Sequence, residues 1–152
     1  MSITVLSDCD YFEQVELPAM EPEEINWTEI SRWKELTEDF IERHKHEVNW
    51  FYVSWKQKLG IEFIKKFERE IEFDRLPRNI NTSEEVIRKF FPPSKWDLAA
   101  WGGYWLNNSF SESLVADYAE VVDWGNLINN ENVALSDGFK FEMAMKGFLD
   151  SV

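Results

Sequence analysis

Trp27, Trp50, Phe73 and Trp96 stand 23 residues apart, and the residues around each aromatic repeat with it. A period this short marks units too small to bury their own apolar face, which therefore have to stack on one another. The first unit reads Ile25-Asn26-Trp27-Thr28-Glu29-Ile30-Ser31 and then Leu36-Thr37-Glu38-Asp39-Phe40-Ile41. The second repeats it as Val48-Asn49-Trp50-Phe51-Tyr52-Val53-Ser54 and Leu59-Gly60-Ile61-Glu62-Phe63-Ile64. Inside a unit the apolar residues fall at helical spacing, as in Trp27 to Ile30 and in Leu36, Phe40, Ile41 and His44. Each unit is therefore predicted to be two short helices. Asn26, Asn49 and Asp123 are placed to cap the first helix, and Thr37, Thr82, Ser111 and Ser136 the second, with Thr82 and Glu85 spaced as a capping box. Gly60 sits awkwardly, in a predicted first turn.

The later units are looser. The third keeps Ile71, Phe73, Leu76, Val86, Ile87 and Phe90 but has Pro77 where the others have serine. The fourth opens on Trp96 and Ala99, carries an insertion around Trp101-Gly102-Gly103-Tyr104-Trp105, and closes with Leu114, Val115 and Tyr118. The fifth opens at Trp124, 28 residues after Trp96. The expected fold is all-α: helix pairs stacked as a small α-solenoid over residues 25–152. Residues 1–24 form an acidic, irregular N-terminal arm or cap, with a short strand possible over Ser2–Leu6. The apolar helix from Lys140, bearing Phe141, Met145, Phe148 and Leu149, is expected to close the last face.

The Trp-x-x-Ile/Val-Ser motif and its following Leu-led helix, carried by Asn26-Trp27, Ile30-Ser31, Leu36 and Phe40-Ile41 and by Asn49-Trp50, Val53-Ser54, Leu59 and Phe63-Ile64, resemble the short tandem α-helical repeats of large DNA virus and bacteriophage proteins. The resemblance covers residues 25–93 best. It implies a viral or phage protein with a helical-repeat fold, and it carries no active site.

Composition bounds the chemistry. The 152 residues carry a net charge of −13, yet 44% are hydrophobic, with eight Trp and twelve Phe, so the chain is expected to fold as one domain. Residues 1–24 sum to −7, 25–48 to −2, 49–93 to +2 and 94–152 to −6. Such a field repels nucleic acid and anionic lipid and attracts basic protein surfaces. The single Cys9, the lack of a basic and apolar leader, and the lack of a membrane-length apolar run point to a cytoplasmic protein without membrane association.

No cofactor or metal is expected. His44 and His46 lie two apart on a predicted helix and diverge, so His44 is read as a partly buried packing residue in the place of Phe67 and Phe90, and His46 as solvated. Cys9 is flanked by Asp8 and Asp10, which disfavour a thiolate. Carboxylate pairs such as Glu70 with Glu72 are expected by chance among 29 acids. The cluster Lys56, Lys58, Lys65, Lys66 and Arg69 beside Trp55 is interleaved with glutamates and reads as a solvated face. The leading expectation is a non-enzymatic binder of a host protein with a basic surface, an inhibitor of anti-CRISPR or anti-restriction type acting by DNA charge mimicry. Its anchors would be Trp101, Tyr104 and Trp105, and its charged contacts Asp97, Glu112, Asp117, Glu120 and Asp123. The alternative is a structural or adaptor repeat that grips a peptide or subunit on its concave face.

Overall fold

The computed structural model describes residues 6–150, in which every regular element is helical. By contacts the chain divides into two compact units, Met1–Glu72 and Phe73–Val152. The strand expected over Ser2–Leu6 lies outside the described residues except for Leu6.

The first unit opens with α1 (Asp8–Tyr11), which runs on through a π-helical stretch, Phe12–Glu16, into α2 (Leu17–Ala19). This part of the expected irregular arm is thus helical. Ser7 caps it, and Cys9, Phe12 and Leu17 are buried. Two helix pairs follow: α3 (Trp27–Trp33) with α4 (Glu38–Arg43), then α5 (Trp50–Lys56) with α6 (Ile61–Lys66).

The caps form as the side chains dictate. Asn26 Oδ1 accepts from Glu29 N at 3.1 Å, Asn49 Oδ1 from Phe51 N at 3.1 Å, and Thr37 Oγ1 from Phe40 N at 3.1 Å. Gly60 turns out to be the N-cap of α6. Having no side-chain acceptor, it is held instead through its N–H, which donates to Glu38 Oε2 at 2.7 Å.

The motif serine has a specific task. Ser31 and Ser54 are fully buried; each donates to the carbonyl four residues back, Trp27 O at 2.7 Å and Trp50 O at 2.8 Å. Each also accepts from the backbone opening the next repeat, Asn49 N at 2.8 Å and Glu72 N at 2.9 Å. A hydroxyl is needed because it can donate and accept at once. Gln57, also buried, ties the same two pairs: its Oε1 accepts from Leu36 N at 2.9 Å and its Nε2 donates to Ser31 O and Lys34 O at 2.9 and 2.7 Å.

The second unit begins with the 3-10 turn Phe73–Arg78 in place of a first helix. Pro77 lacks an N–H and its ring crowds the preceding turn, so an α-helix cannot run through it. Then come α7 (Glu84–Phe90), a turn at Pro93–Lys95, the one-turn helices α8 (Leu98–Trp101) and α9 (Tyr104–Asn107), then α10 (Glu112–Asp117), α11 (Trp124–Leu127) and α12 (Asp137–Met145). Asp97, Ser111, Asp123 and Ser136 cap their helices.

Three expectations need correction here. The cap of α7 is Ser83, while Thr82 is buried and the Thr82/Glu85 box does not form. Trp96 precedes its cap, Asp97, whereas Trp27 and Trp50 follow theirs, so the 23-residue period slips at the fourth repeat. The ring nevertheless reaches the same kind of partner, the residue ending the second helix. Trp27 meets His44 at 5.2 Å, Trp50 meets Phe67 at 5.3 Å and Trp96 meets Tyr118 at 5.8 Å between centroids. Finally, α12 buries Phe139 and Met143, not Phe141 and Met145, which are exposed. It stops at Met145, because Gly147 at φ +83 reverses the chain with Phe148 N bonded to Met143 O, a glycine-closed helix end.

Candidate interaction surface

The residues expected to anchor a partner lie inside the second unit. Trp105 is fully buried, Tyr104 is 1% exposed and Trp101 8%. This corrects the expectation of an exposed aromatic patch, and the cause is local geometry. Gly102 and Gly103 keep αR dihedrals, so α8 and α9 follow one helical track and positions 101, 104 and 105 fall on one stripe. A Cβ on Gly102 would meet Leu98 O at 3.0 Å and Asp123 Oδ2 at 3.1 Å, a tight approach to α11 that glycine avoids. The three rings close around Trp96, with centroids at 5.6, 5.5 and 5.3 Å from Trp101, Tyr104 and Trp105. Most meet edge to face, the arrangement that sets positive ring edges against electron-rich faces. This matters because the indole N–H of Trp96, Trp101 and Trp105 and the Tyr104 hydroxyl are buried without a protein hydrogen-bond partner. Burial pushes the Tyr104 phenol well above its ordinary range and raises that of Tyr118, so both stay protonated.

Four of the five expected contact carboxylates have work within the fold. Asp97 and Asp123 cap α8 and α11, each accepting at 3.0 Å from the N–H three residues on. Glu112 accepts from Ser136 N, and Asp117 pairs with Arg88 at 2.7 Å. Glu120 is exposed and without a side-chain partner among the described residues. Glu112 belongs to a pattern: the glutamate opening one second helix holds the backbone N–H of the next cap, as Glu38 does for Gly60 and Glu84 for Ser111. The sequence shows these glutamates only as first-turn acids; their reach into the next repeat depends on the stacking distance.

Glu84 is the most engaged. Burial alone would raise its carboxyl, but the Ser111 hydroxyl and N–H and the Arg88 guanidinium outweigh it and hold the group below its ordinary value. Glu13, in the N-terminal helical segment, is held low chiefly by its hydrogen bonds with Arg43, then by His44, whose Nε2 lies at 2.7 Å. Its contribution to stability is therefore present above the ordinary carboxylate value of 4.5 and is lost as pH falls through its lowered folded value. Glu13→Gln is expected to cost about 1 kcal/mol at neutral pH. Urea unfolding of the two proteins from pH 7 downward should show the gap narrowing only in the acid range; a gap that is constant with pH would mean the ion pair is not its source.

His44 and His46 part as expected, His44 half-buried against Trp27 and Phe40 and His46 exposed. Among the described residues no group of three or more His, Cys, Asp or Glu is arranged to hold a metal. Cys9 is buried, with its sulfur 3.4 Å from the Thr37 N–H that donates to it. No helix is long and apolar enough to cross a membrane, among the described residues.

Two open clefts lie in the first unit. One, of about 380 Å³, gathers Lys45, His46, Lys65, Lys66 and Arg69 at the C-terminal ends of α4 and α6, where cations complement the exposed carbonyls; Glu68 and Glu70 share its lining. Lys66 is paired with Glu42 and Lys65 with Glu62. The other, of about 330 Å³, lies between the N-terminal helical segment and the end of α3 and is lined by Asp8, Tyr11, Glu16, Trp33, Lys34 and Glu35 among others. Neither was visible as a unit in the sequence, since each joins segments more than 15 residues apart.

Compared with protein-family models, with curated proteins and with solved structures, the chain matches none.

Proposed function

We propose that this is a non-enzymatic binding protein whose acidic surface docks on a protein partner with a basic surface, in the manner of an inhibitor that occupies a nucleic-acid channel of a host or defence protein. The anti-restriction and anti-CRISPR types, of viral or phage origin, are the nearest functional pattern for such charge mimicry. One observation carries the reading: only seven of the 29 carboxylates take part in ion pairs among the described residues. Glu23, Glu29, Glu47, Glu120 and Glu131 are exposed and have no such cation. Uncompensated like charge opposes the compact state, and a basic partner relieves that repulsion on binding. The contact set differs from the one read from sequence. Glu120 remains available for contact, Asp97 and Asp117 add charge while held by a cap and by Arg88, and the Trp101 cluster supports the surface from within.

The test is capture of partners by the tagged full chain from host extract, followed by a challenge with duplex DNA. The expected result is displacement by excess DNA and release near 1 M salt, where the screening length falls to about 3 Å. A partner that is retained under both conditions would point to an apolar adaptor contact and overturn charge mimicry.

A further inference from the structure

The cleft between the N-terminal helical segment and α3 brings exposed aromatic rings together with carboxylates. Trp33 and Tyr11 are large aromatics, 65% and 49% exposed. Beside them stand three carboxylates, Asp8, Glu16 and Glu35, and one cation, Lys34. Lys34 Nζ lies 3.7 Å from Glu16 and 4.8 Å from the Phe12 ring, so Glu16 already has its counter-charge. Asp8 and Glu35 have no ion pair or side-chain hydrogen bond among the described residues, and with Arg32 on the Trp33 ring counted beside Lys34 the carboxylates at the cleft still exceed the cations by one. The Trp33 ring also shows its affinity for a planar cation: the Arg32 guanidinium sits 4.4 Å from its centroid, and much of the ring remains open.

Aromatic faces attract cations through their quadrupole, and a nearby carboxylate adds a directional partner. A guanidinium uses both better than an ammonium, because it stacks flat and presents a fork of N–H donors. The volume, about 330 Å³, is in the range of a site for one small group.

We propose that this cleft receives an arginine side chain of a protein partner, its guanidinium against Trp33 and Tyr11 and its charge met by Asp8 and Glu35. The assignment rests on the reading of a basic partner and names the group that such a partner inserts here. The probe is a fluorescein-labelled glycine–arginine peptide, with its citrulline counterpart, which keeps the shape and loses the charge, as control; binding to the full chain is followed by anisotropy. The arginine peptide is expected to bind, and the citrulline peptide at least about tenfold more weakly. Trp33→Ala and the double change Asp8→Asn with Glu35→Gln should each weaken the arginine peptide by about tenfold. Removing two exposed carboxylates that do not line the cleft, Glu131→Gln with Asp150→Asn, should change affinity by less than about twofold, since screened surface charges without direct contact contribute little. All these side chains are exposed, so the variants keep the fold. If the cleft variants bind like the unaltered protein, if the Glu131 and Asp150 double variant weakens binding as much, or if the arginine peptide does not bind, the assignment is overturned. In each of those cases a captured partner that duplex DNA still displaces leaves the basic-partner reading standing, and its loss would remove that reading independently.

Discussion

Trp105→Ala is expected to lower the stability of the protein by about 3–5 kcal/mol, the range for truncating a fully buried large aromatic. Trp105 has no exposed surface, and its ring centroid lies 5.3 Å from Trp96, 5.1 Å from Tyr104 and 5.2 Å from Phe110. Alanine leaves a cavity that rigid rings on every side are poorly able to fill. Since total stabilities of proteins are about 5–15 kcal/mol, this one change removes a large share. Urea unfolding followed by near-ultraviolet circular dichroism, which reports packed aromatics, gives the measurement. Two comparisons sharpen it. Trp105→Phe keeps most of the volume and deletes an N–H that has no hydrogen-bond acceptor, so it should cost much less. Trp33→Ala, at an exposed ring, should cost under about 1 kcal/mol. Equal losses for Trp105→Ala and Trp33→Ala would contradict the assignment of one ring to the core and the other to the surface.

Gln57→Leu should have the second largest effect, about 2–4 kcal/mol, by a different route. The substitution keeps apolar volume and removes three hydrogen bonds at once, leaving the Leu36 N–H and the Ser31 and Lys34 carbonyls of the preceding repeat short of their partner in a buried place. Buried unsatisfied groups cost more than the bonds themselves contribute, so a hydrophobic side chain is the wrong replacement here. The expected signature is a lower urea midpoint with an unchanged slope, because the surface exposed on unfolding hardly changes. A loss below about 0.5 kcal/mol would show that water replaces the amide without penalty. The same logic applies to Asn130, whose Nδ2 donates to Trp105 O at 2.9 Å and Asn108 O at 2.8 Å.

These amides show how legibility in the sequence depends on range. Asn26, Asn49, Thr37, Ser111, Asp123 and Ser136 were readable as caps because a cap acts over two or three residues, and a short polar side chain before an apolar stripe has few other uses. Gln57 and Asn130 sit in no recognisable local pattern; their partners lie 21 to 26 residues away, across the gap between helix pairs. The motif serine falls between these cases. Its recurrence at +23 was visible, whereas the bond it accepts from the next repeat could be found only once the pairs were stacked.

The candidate surface was less legible, for a related reason. Carboxylates look alike in a sequence whether they face a partner, a cap or an arginine. Glu38, Glu84 and Glu112 became inter-repeat caps because stacking brings a backbone N–H within reach, and Asp117 was taken by Arg88, 29 residues away. Trp101, Tyr104 and Trp105 have the i, i+3, i+4 spacing of one helical stripe, a signal that was present and was masked by the two glycines between them.

What the sequence determined by itself was the helical character, the two helix pairs of the first unit, and most of the helix starts, all governed by hydrophobic spacing and by side chains that bond their own neighbours. What the tertiary structure decided was which aromatics are enclosed, which acids are left to solvent, and where a cleft opens beside Trp33. Those outcomes depend on distances between segments remote in the chain, and burial, like charge compensation, is a property of that assembled neighbourhood and not of any residue alone.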